Sequence, residues 1–124
     1  MHNKSENRIK GSKGEDEAVD ILVKKGYKIL ERNWVSGKLE IDIIATTGKY
    51  VVFVEVKTRH SNAYAEPWEA VNKKKQQHIL RAAHYYIRKM TVQMEPRFDI
   101  ISIISFPNKE LHVDHFEDAF WPMA

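Results

Sequence analysis

Three side chains in the first half of the sequence have the types and spacing of a divalent-metal site. Asp42 lies in an apolar segment, and Glu55 and Lys57 follow further along the chain with one valine between them. Carboxylate oxygens are hard ligands that suit Mg²⁺ or Mn²⁺. A neighbouring lysine is able to neutralise part of the carboxylate charge. We therefore ask whether the predicted elements bring these side chains together.

The segments that carry these residues are predicted to be neighbouring strands. Residues 39–46 alternate between two faces, as expected of a strand with one face buried. Residues 50–58 are rich in valine, and a turn signal, Thr47-Gly48-Lys49-Tyr50, separates the two segments. One face of the first strand is predicted to carry Leu39, Ile41, Ile43 and Ala45.

The length of the turn decides which side chains share a face of this hairpin. A two-residue loop with glycine first suits a type II′ turn. It places Asp42 opposite Glu55, and Glu40 opposite Lys57. A loop one residue longer sends Asp42 and Glu55 to opposite faces. With the shorter loop, the spacing is compatible with two hypotheses: a metal site, or a solvated patch of strand carboxylates paired with lysine.

The remaining pattern predicts an α/β fold with the order α-β-β-β-α-β-β and a mixed sheet flanked by helices. The helix between the third and fourth strands is a crossover that allows these strands to be parallel. The predicted helices cover residues 14–25 and 67–90, and the other predicted strands cover residues 27–33, 97–105 and 111–116. The length predicts a single domain, residues 1–124.

Composition excludes several classes of protein. There is no cysteine, which removes disulfides and thiolate metal sites. No apolar run approaches the roughly 20 residues that cross a bilayer, and residues 1–13 lack the apolar region of a signal peptide. A cytoplasmic location is therefore expected. The net charge of +3 is too small to indicate a partner by itself.

An ordered set of short motifs resembles the YraN family of bacterial endonuclease-like proteins. The matching positions are Gly14, Glu15 and Ala18, then Gly26, Tyr27 and Asn33, then Glu40-Ile41-Asp42 and the run from Val52 to Arg59, and finally Ala70, Val71, Lys75 and Arg97-Phe98-Asp99. Within this set, Asp42 and Glu55-Val56-Lys57 are similar to the PD-(D/E)xK motif of the restriction-endonuclease-like superfamily. Two departures are visible, since Leu39 stands where the family often has glycine and Ile41 where the superfamily has proline.

The resemblance implies a restriction-endonuclease-like core and a metal-dependent phosphodiesterase site. Asp42, Glu55 and the carbonyl oxygen of Val56 are the implied ligands of Mg²⁺ or Mn²⁺. Lys57 is implied to orient the attacking water and to stabilise charge on the phosphate. Glu15 fits either a site carboxylate, as in similar junction-resolving nucleases, or a first-turn glutamate favoured by the helix dipole.

Basic residues of the second helix and of the preceding strand end are candidates for contacts with a nucleic-acid backbone. These are Arg59, Lys73, Lys74, Lys75 and Arg81. Such a run is also compatible with a solvated helix face, and only its place beside a phosphodiester site favours binding. Nucleic acid, with DNA expected before RNA, is therefore the predicted partner, and a homodimer is compatible with the sequence.

Two functions from different classes follow. The first is a Mg²⁺-dependent endonuclease that binds and hydrolyses nucleic acid, and the second is a nucleic-acid-binding module with the nuclease fold and little or no cleavage. A protein-interaction or structural-assembly domain is a third hypothesis, which the basic helix disfavours. Two further polar residues belong to the later strands. Asp99, inside an apolar strand, is expected to be buried with Arg97 or Lys75 as its partner or to lie near the site, and His115 is expected at the surface.

Overall fold

The computed structural model describes residues 14–63 and 72–121. Helix α1 covers residues 14–24 of the described part. The other elements are β1 (Lys28–Ser36), β2 (Leu39–Thr46), β3 (Tyr50–His60), a short 3-10 turn (Ser61–Ala63), α2 (Lys73–Met90), β4 (Glu95–Ser105) and β5 (Leu111–Phe116).

The five strands form one mixed sheet in the order β1-β2-β3-β4-β5. Strands β3 and β4 are parallel, and the other neighbouring pairs are antiparallel. The predicted fold class is confirmed: a mixed sheet is flanked by two helices, which is consistent with a restriction-endonuclease-like core. The parallel pair follows from the long connection through α2, because only antiparallel neighbours can be joined by a short turn.

The two helices cover opposite faces of the sheet and create two cores. Ala18 and Leu22 of α1 pack in a buried cluster with strand residues of one face, which include Val52 and Val54. Ile79 and Tyr86 of α2, together with other residues of that helix, pack on the opposite face. Alternating residues of β3 therefore reach different cores, as a strand covered on both sides requires.

Several element boundaries differ from the sequence prediction. Strand β1 runs three residues further, to Ser36, and β3 runs two residues further, to His60. The β3 extension is polar, and its pairing with β4 continues to Ser105. Helix α2 begins at Lys73 after its N-cap residue Asn72, which has an extended backbone. The predicted start at Pro67 lies outside the described residues.

The predicted alternation of β2 is wrong on one side of Asp42. Ile43 and Ala45 pack in the cluster beneath α1, as neighbours on one face should. Ile41, however, packs in the α2 cluster, with Leu39 against it. In the same place β1 contains Asn33 with a positive φ of 51°. This local twist changes which face β2 presents, and Asp42 lies at the change.

Within the described residues, no helix combines the length and apolar character needed to cross a membrane.

Candidate metal and nucleic-acid site

The hairpin between β2 and β3 has the register that the two-residue turn predicts. Its ladder runs from Thr46 opposite Val51 to Ile43 opposite Val54, and the Thr47 N–H donates to the Tyr50 carbonyl at 3.1 Å. The ladder then stops, although β2 remains paired with β1 and β3 with β4. The predicted direct pairings of Asp42 with Glu55 and of Glu40 with Lys57 are therefore not observed, because the two strands separate after Ile43 and Val54.

Asp42 lies at the point where the strands separate. Its Oδ2 accepts a hydrogen bond of 2.8 Å from the Val56 N–H, in place of the next ladder hydrogen bond. In a strand, the N–H and C=O of one residue point to the same edge. The Val56 carbonyl therefore also faces the gap that β2 leaves, on the side of Asp42.

The surroundings of Asp42 disfavour its charged form. Burial and the nearby charge of Glu55 raise the pKa of Asp42 to about 7. The Val56 N–H and Lys75 act in the opposite direction, and Glu15 adds to the increase. The charges of Glu55, Glu15 and Lys75 thus all act on one carboxyl, which indicates that the site draws from β2, β3 and both helices.

Glu55 is the buried partner of this carboxyl. Only 9% of the residue is exposed, and its Oε1 lies 2.8 Å from Nζ of Lys75. Burial lowers the pKa of Lys75, but the hydrogen bond to Glu55 and the charges of Glu55, Asp42 and Glu40 outweigh it and raise that pKa. The cation that contacts Glu55 thus comes from α2 and not from Lys57, to which the sequence pattern had assigned this neutralising role.

The first turn of α2 is held in place by its cap. The Asn72 side chain accepts a hydrogen bond of 2.9 Å from the Lys75 N–H, which satisfies one of the free donors at the helix start. The cap fixes where the backbone of Lys75 lies relative to β3. Sequence reasoning did not identify Asn72, although an asparagine directly before a lysine run and an apolar stripe is a typical N-cap signal.

Glu15 reaches the site from the described start of α1. Its Oε2 accepts a hydrogen bond of 2.8 Å from the Asn33 side chain and lies 3.8 Å from Nη2 of Arg32. A Cβ added at Gly14 would lie 2.4 Å from Oγ1 of Thr58, so glycine allows α1 to begin directly against the end of β3. Asn33 orients Glu15, and the only sequence signal for it is its place in the family resemblance. Its left-handed backbone is a conformation that asparagine tolerates.

Lys57 and Arg59 continue the row of Glu55 along the same face of β3, because side chains alternate along a strand. Lys57 is partly buried. Its ammonium is within ion-pair distance of no described carboxylate. Nη2 of Arg59 donates to the Ser102 hydroxyl at 3.3 Å. The structure therefore holds Lys57 beside the acidic cluster without using its charge to neutralise that cluster.

Helix α2 carries an excess of positive charge. It contains six lysine and arginine residues and no aspartate or glutamate. Lys73, Lys74 and Arg81 are exposed. Cations at a helix N-terminus are disfavoured by the helix dipole, so helix stability does not explain the lysines of the first turn. They lie in the same first turn as Lys75, which contacts Glu55.

The donor set fits a hard divalent ion that keeps much of its water. Asp42, Glu55 and the Val56 carbonyl all present oxygen, and burial together with the charges of Glu55 and Glu15 raises the pKa of Asp42 more than Lys75 and the Val56 N–H lower it. No three histidine, aspartate or glutamate side chains of the described chain come close enough to enclose an ion. Mg²⁺ commonly binds one or two carboxylates and completes its shell with water and substrate phosphate.

A second charged cluster lies at the other end of α1. Asp99 is fully buried and accepts two hydrogen bonds from Arg97, at 2.9 and 2.8 Å. It also accepts one from the Asp118 N–H at 3.0 Å, and Nε2 of His115 lies 2.7 Å from its Oδ2. The prediction that Arg97 pairs with Asp99 is confirmed. The prediction that His115 is a surface residue is wrong, since its side chain is 2% exposed. The ring lies between Asp99 and Nζ of Lys25.

Comparisons with known proteins define the relatives of this chain. Residues 14–103 match the model described as "Uncharacterised protein family UPF0102". The chain is 45% identical over 111 residues to a UPF0102 protein of Flavobacterium psychrophilum, covering 90% of this chain and 92% of that protein. It is 41% identical over 111 residues to one of Thermodesulfovibrio yellowstonii, covering 90% and 95% of the two chains. The matched range includes Glu15, Asp42, Glu55 and Lys57, and the chain belongs to the UPF0102 family.

Proposed function

We propose that this protein is a Mg²⁺-dependent endonuclease-like phosphodiesterase that binds and hydrolyses nucleic acid. The observation that carries the proposal is the position of Asp42. This carboxyl has a pKa of about 7, mainly through burial and the charge of Glu55, at a point where the sheet opens. A structural carboxylate gains nothing from such a position, whereas a metal ligand needs an accessible oxygen and uncompensated negative charge.

The chain's own residues divide the proposed chemistry between them. Asp42, Glu55 and the Val56 carbonyl hold the ion, and the hydrogen bond from the Val56 N–H orients Asp42. When bound, Mg²⁺ polarises a phosphoryl oxygen and lowers the pKa of bound water. Lys57, on the same face as Glu55 and free of a described carboxylate partner, orients the attacking water and stabilises charge on the phosphate. Glu15 adds negative charge beside Asp42.

Binding of the polyanion is assigned to the surface beside the cluster. The α2 side chains of Lys73, Lys74 and Arg81 project into solvent, and Arg59 continues the β3 row past Lys57. The lysines of the first turn add to the positive end of the helix dipole, which favours phosphate. Contacts of this kind recognise the backbone and carry no sequence information.

One observation favours a second candidate, a binding module of the same fold that cleaves little. The Lys75 ammonium already contacts Glu55 at 2.8 Å. An internal cation in this position neutralises the cluster without metal, so a divalent ion has to compete with it. In this second candidate, the basic α2 surface retains its role and the acidic cluster is structural.

The deciding experiment measures cleavage and binding on one panel of branched, single-stranded and duplex DNA and RNA with Mg²⁺ or Mn²⁺. We expect Asp42→Asn and Glu55→Gln to abolish single-turnover cleavage while binding persists or tightens, because repulsion of phosphate is relieved. Lys57→Ala should keep binding and lower the cleavage rate by about 10²–10³-fold, the typical cost of removing a transition-state donor. Glu110→Gln, an exposed carboxylate in the loop between β4 and β5, is the matched control.

Changing Lys73, Lys74 and Arg81 together to alanine should weaken binding and flatten its salt dependence. The slope of log affinity against log salt should fall by roughly one for each phosphate that the variant no longer neutralises. Binding without cleavage by any divalent metal across the whole panel would favour the second candidate. If the wild type binds no nucleic acid at low salt, both candidates are wrong.

A further inference from the structure

The outward face of α2 contains an open depression that the proposed chemistry does not use. It has a volume of about 670 Å³ and is lined by Arg81, His84, Tyr85, Arg88 and Lys89. Tyr85 is the aromatic residue of this lining, and 51% of it is exposed. The depression thus combines an accessible aromatic ring with several cations and no acidic side chain.

The Tyr85 ring is held by its neighbours without being covered by them. Its centroid lies 6.0 Å from that of Trp34 in a tilted arrangement, and Trp34 itself packs edge-on against the buried Tyr86 at 5.2 Å. Nζ of Lys89 lies 5.9 Å from the Tyr85 centroid. A ring with restricted motion and half of its surface in solvent is suited to stacking, because it gives up little conformational freedom when a flat ligand binds.

The cations that line the depression have different explanations. Arg88 and Lys89 are in the last turn of α2, where the helix dipole favours cations, so their presence needs no ligand. Arg81 is in the middle of the helix and has no described carboxylate within ion-pair distance. It lies on the same outward stripe as Lys74, Tyr85 and Arg88, since these positions are separated by three, four or seven residues. Cations on both sides of an aromatic ring match the alternation of phosphate and base along a single strand.

We propose that the depression around Tyr85 binds an unpaired nucleotide, with the base stacked on Tyr85 and the flanking phosphates on Arg81 and Arg88. This inference rests on the proposed function and specifies its substrate class as nucleic acid with a single-stranded segment. A continuous duplex keeps its base faces inside the stack and offers none to Tyr85. Single-strand binding proteins use such aromatic platforms within a positive groove.

The geometry also predicts the length of the single-stranded segment. Ten residues of helix separate Lys75, at the acidic cluster, from Tyr85, which corresponds to about 15 Å at 1.5 Å per residue. At the rise of about 3.4 Å per nucleotide of a stacked strand, this distance equals roughly four nucleotides, and a more extended unpaired strand spans it with fewer. The stacked base should therefore lie within about four nucleotides of the phosphate beside the cluster.

The test measures the affinity of the full chain, without metal, for duplexes that carry single-stranded extensions of increasing length. We expect affinity to rise as the extension grows to about four nucleotides, and a 2-aminopurine placed within that extension to lose fluorescence on binding. Tyr85→Ala should remove this gain, a loss of about 5- to 150-fold for one stacked base. Tyr85→Phe should retain it. Phe106→Ala is the matched control, because Phe106 is an exposed aromatic residue in the loop between β4 and β5.

Three outcomes would overturn the inference while leaving the proposed function intact. These are equal affinity for blunt and extended duplexes, an unchanged affinity in Tyr85→Ala whose melting temperature matches that of wild type, and an unchanged 2-aminopurine signal. Displacement of the extended duplex by poly-glutamate as effectively as by a single strand of equal charge would instead assign the depression to an acidic protein. If Lys73, Lys74 and Arg81 changed together leave all binding unaltered, the proposed function itself fails.

Discussion

Asp42 and Asp99 lie in the same sheet, but their pKa values are shifted in opposite directions. Asp99 is fully buried, yet hydrogen bonds from His115, Arg97 and the Asp118 N–H overcome the effect of burial and hold its pKa below the usual value. Asp42 accepts a single hydrogen bond among the described contacts, from the Val56 N–H. Burial and the Glu55 charge raise its pKa to about 7.

The difference lies in how many donors and positive charges surround each carboxylate. Around Asp99, the donors come from side chains and backbone of β4, β5 and the segment after it. Such a network stabilises the docking of the last strand and leaves no oxygen for a ligand. Around Asp42, the carboxylates of Glu55 and Glu15 outnumber the one cation that acts on it, Lys75. Burial alone therefore does not distinguish the two carboxylates. The donors and charges around each of them do.

The largest expected effect is the loss of stability when Asp99 is replaced. Asp99→Asn should lower the free energy of unfolding by about 3–5 kcal/mol, because it removes one partner of a buried ion pair and leaves the Arg97 guanidinium poorly compensated. Equilibrium unfolding in urea measures this change. Glu117→Gln is the control, since Glu117 contacts the same guanidinium at 3.5 Å from an exposed position and should cost less than about 1 kcal/mol. Equal effects in both variants would contradict a special role for Asp99.

Asp42→Asn should raise the free energy of unfolding at neutral and alkaline pH, whereas Asp99→Asn lowers it. The folded-state pKa of about 7 exceeds the unfolded value near 3.9, so between these pH values the folded chain holds a proton that the unfolded chain releases. Raising the pH through this window therefore destabilises the wild type, by a few kcal/mol in total. The asparagine variant cannot ionise and should not show this decline. Urea unfolding at pH 4, 5.5, 7 and 8 tests it, and parallel curves for the two proteins would refute the assignment.

A divalent ion bound at Asp42 and Glu55 should raise the free energy of unfolding, by less than the two preceding changes. Mg²⁺ or Mn²⁺ at ten times its dissociation constant should stabilise the fold by about 1.4 kcal/mol, measured as a rise in melting temperature at pH 8. The stabilisation should fade below pH 7, since a ligand carboxyl must release its proton to bind metal. Glu55→Gln should abolish it, and Glu117→Gln should keep it. A metal response that survives Glu55→Gln places the ion elsewhere.

The smallest expected effect concerns the internal cation. Lys75 is half-exposed and contacts Glu55 at 2.8 Å, so Lys75→Met should change the free energy of unfolding by less than about 1 kcal/mol. Its removal should nevertheless tighten divalent-metal binding, because the ammonium and the ion compete for the same carboxylates. Calorimetric titration compares this variant with Lys74→Met, which removes an exposed lysine of the same turn. Equal metal affinities in the two variants would exclude competition at Glu55.

Much of the fold was predictable from local patterns. The boundaries of β2 and β5, the turn at Gly48-Lys49 and the register that follows from it depend on alternation and on turn chemistry within a few residues. The end of β1 differs because it extends its hairpin with β2, where Ser36 lies opposite Leu39, and the end of β3 differs because it pairs with β4, a strand distant in sequence. His60 belongs to β3 because it lies opposite Ser105, which no local pattern around His60 indicates.

The sequence by itself determined the chemical types at the site and the two strands that carry them, since the turn at Gly48-Lys49 sets the register of the hairpin as far as Ile43 and Val54. Tertiary structure decided the rest. The separation of β2 from β3 after Ile43, the choice of Lys75 over Lys57 as the partner of Glu55, and the burial of His115 all depend on helices and strands distant in sequence. Electrostatic balance is a sum over every charge nearby, so only the folded chain distinguishes the satisfied Asp99 from the unsatisfied Asp42.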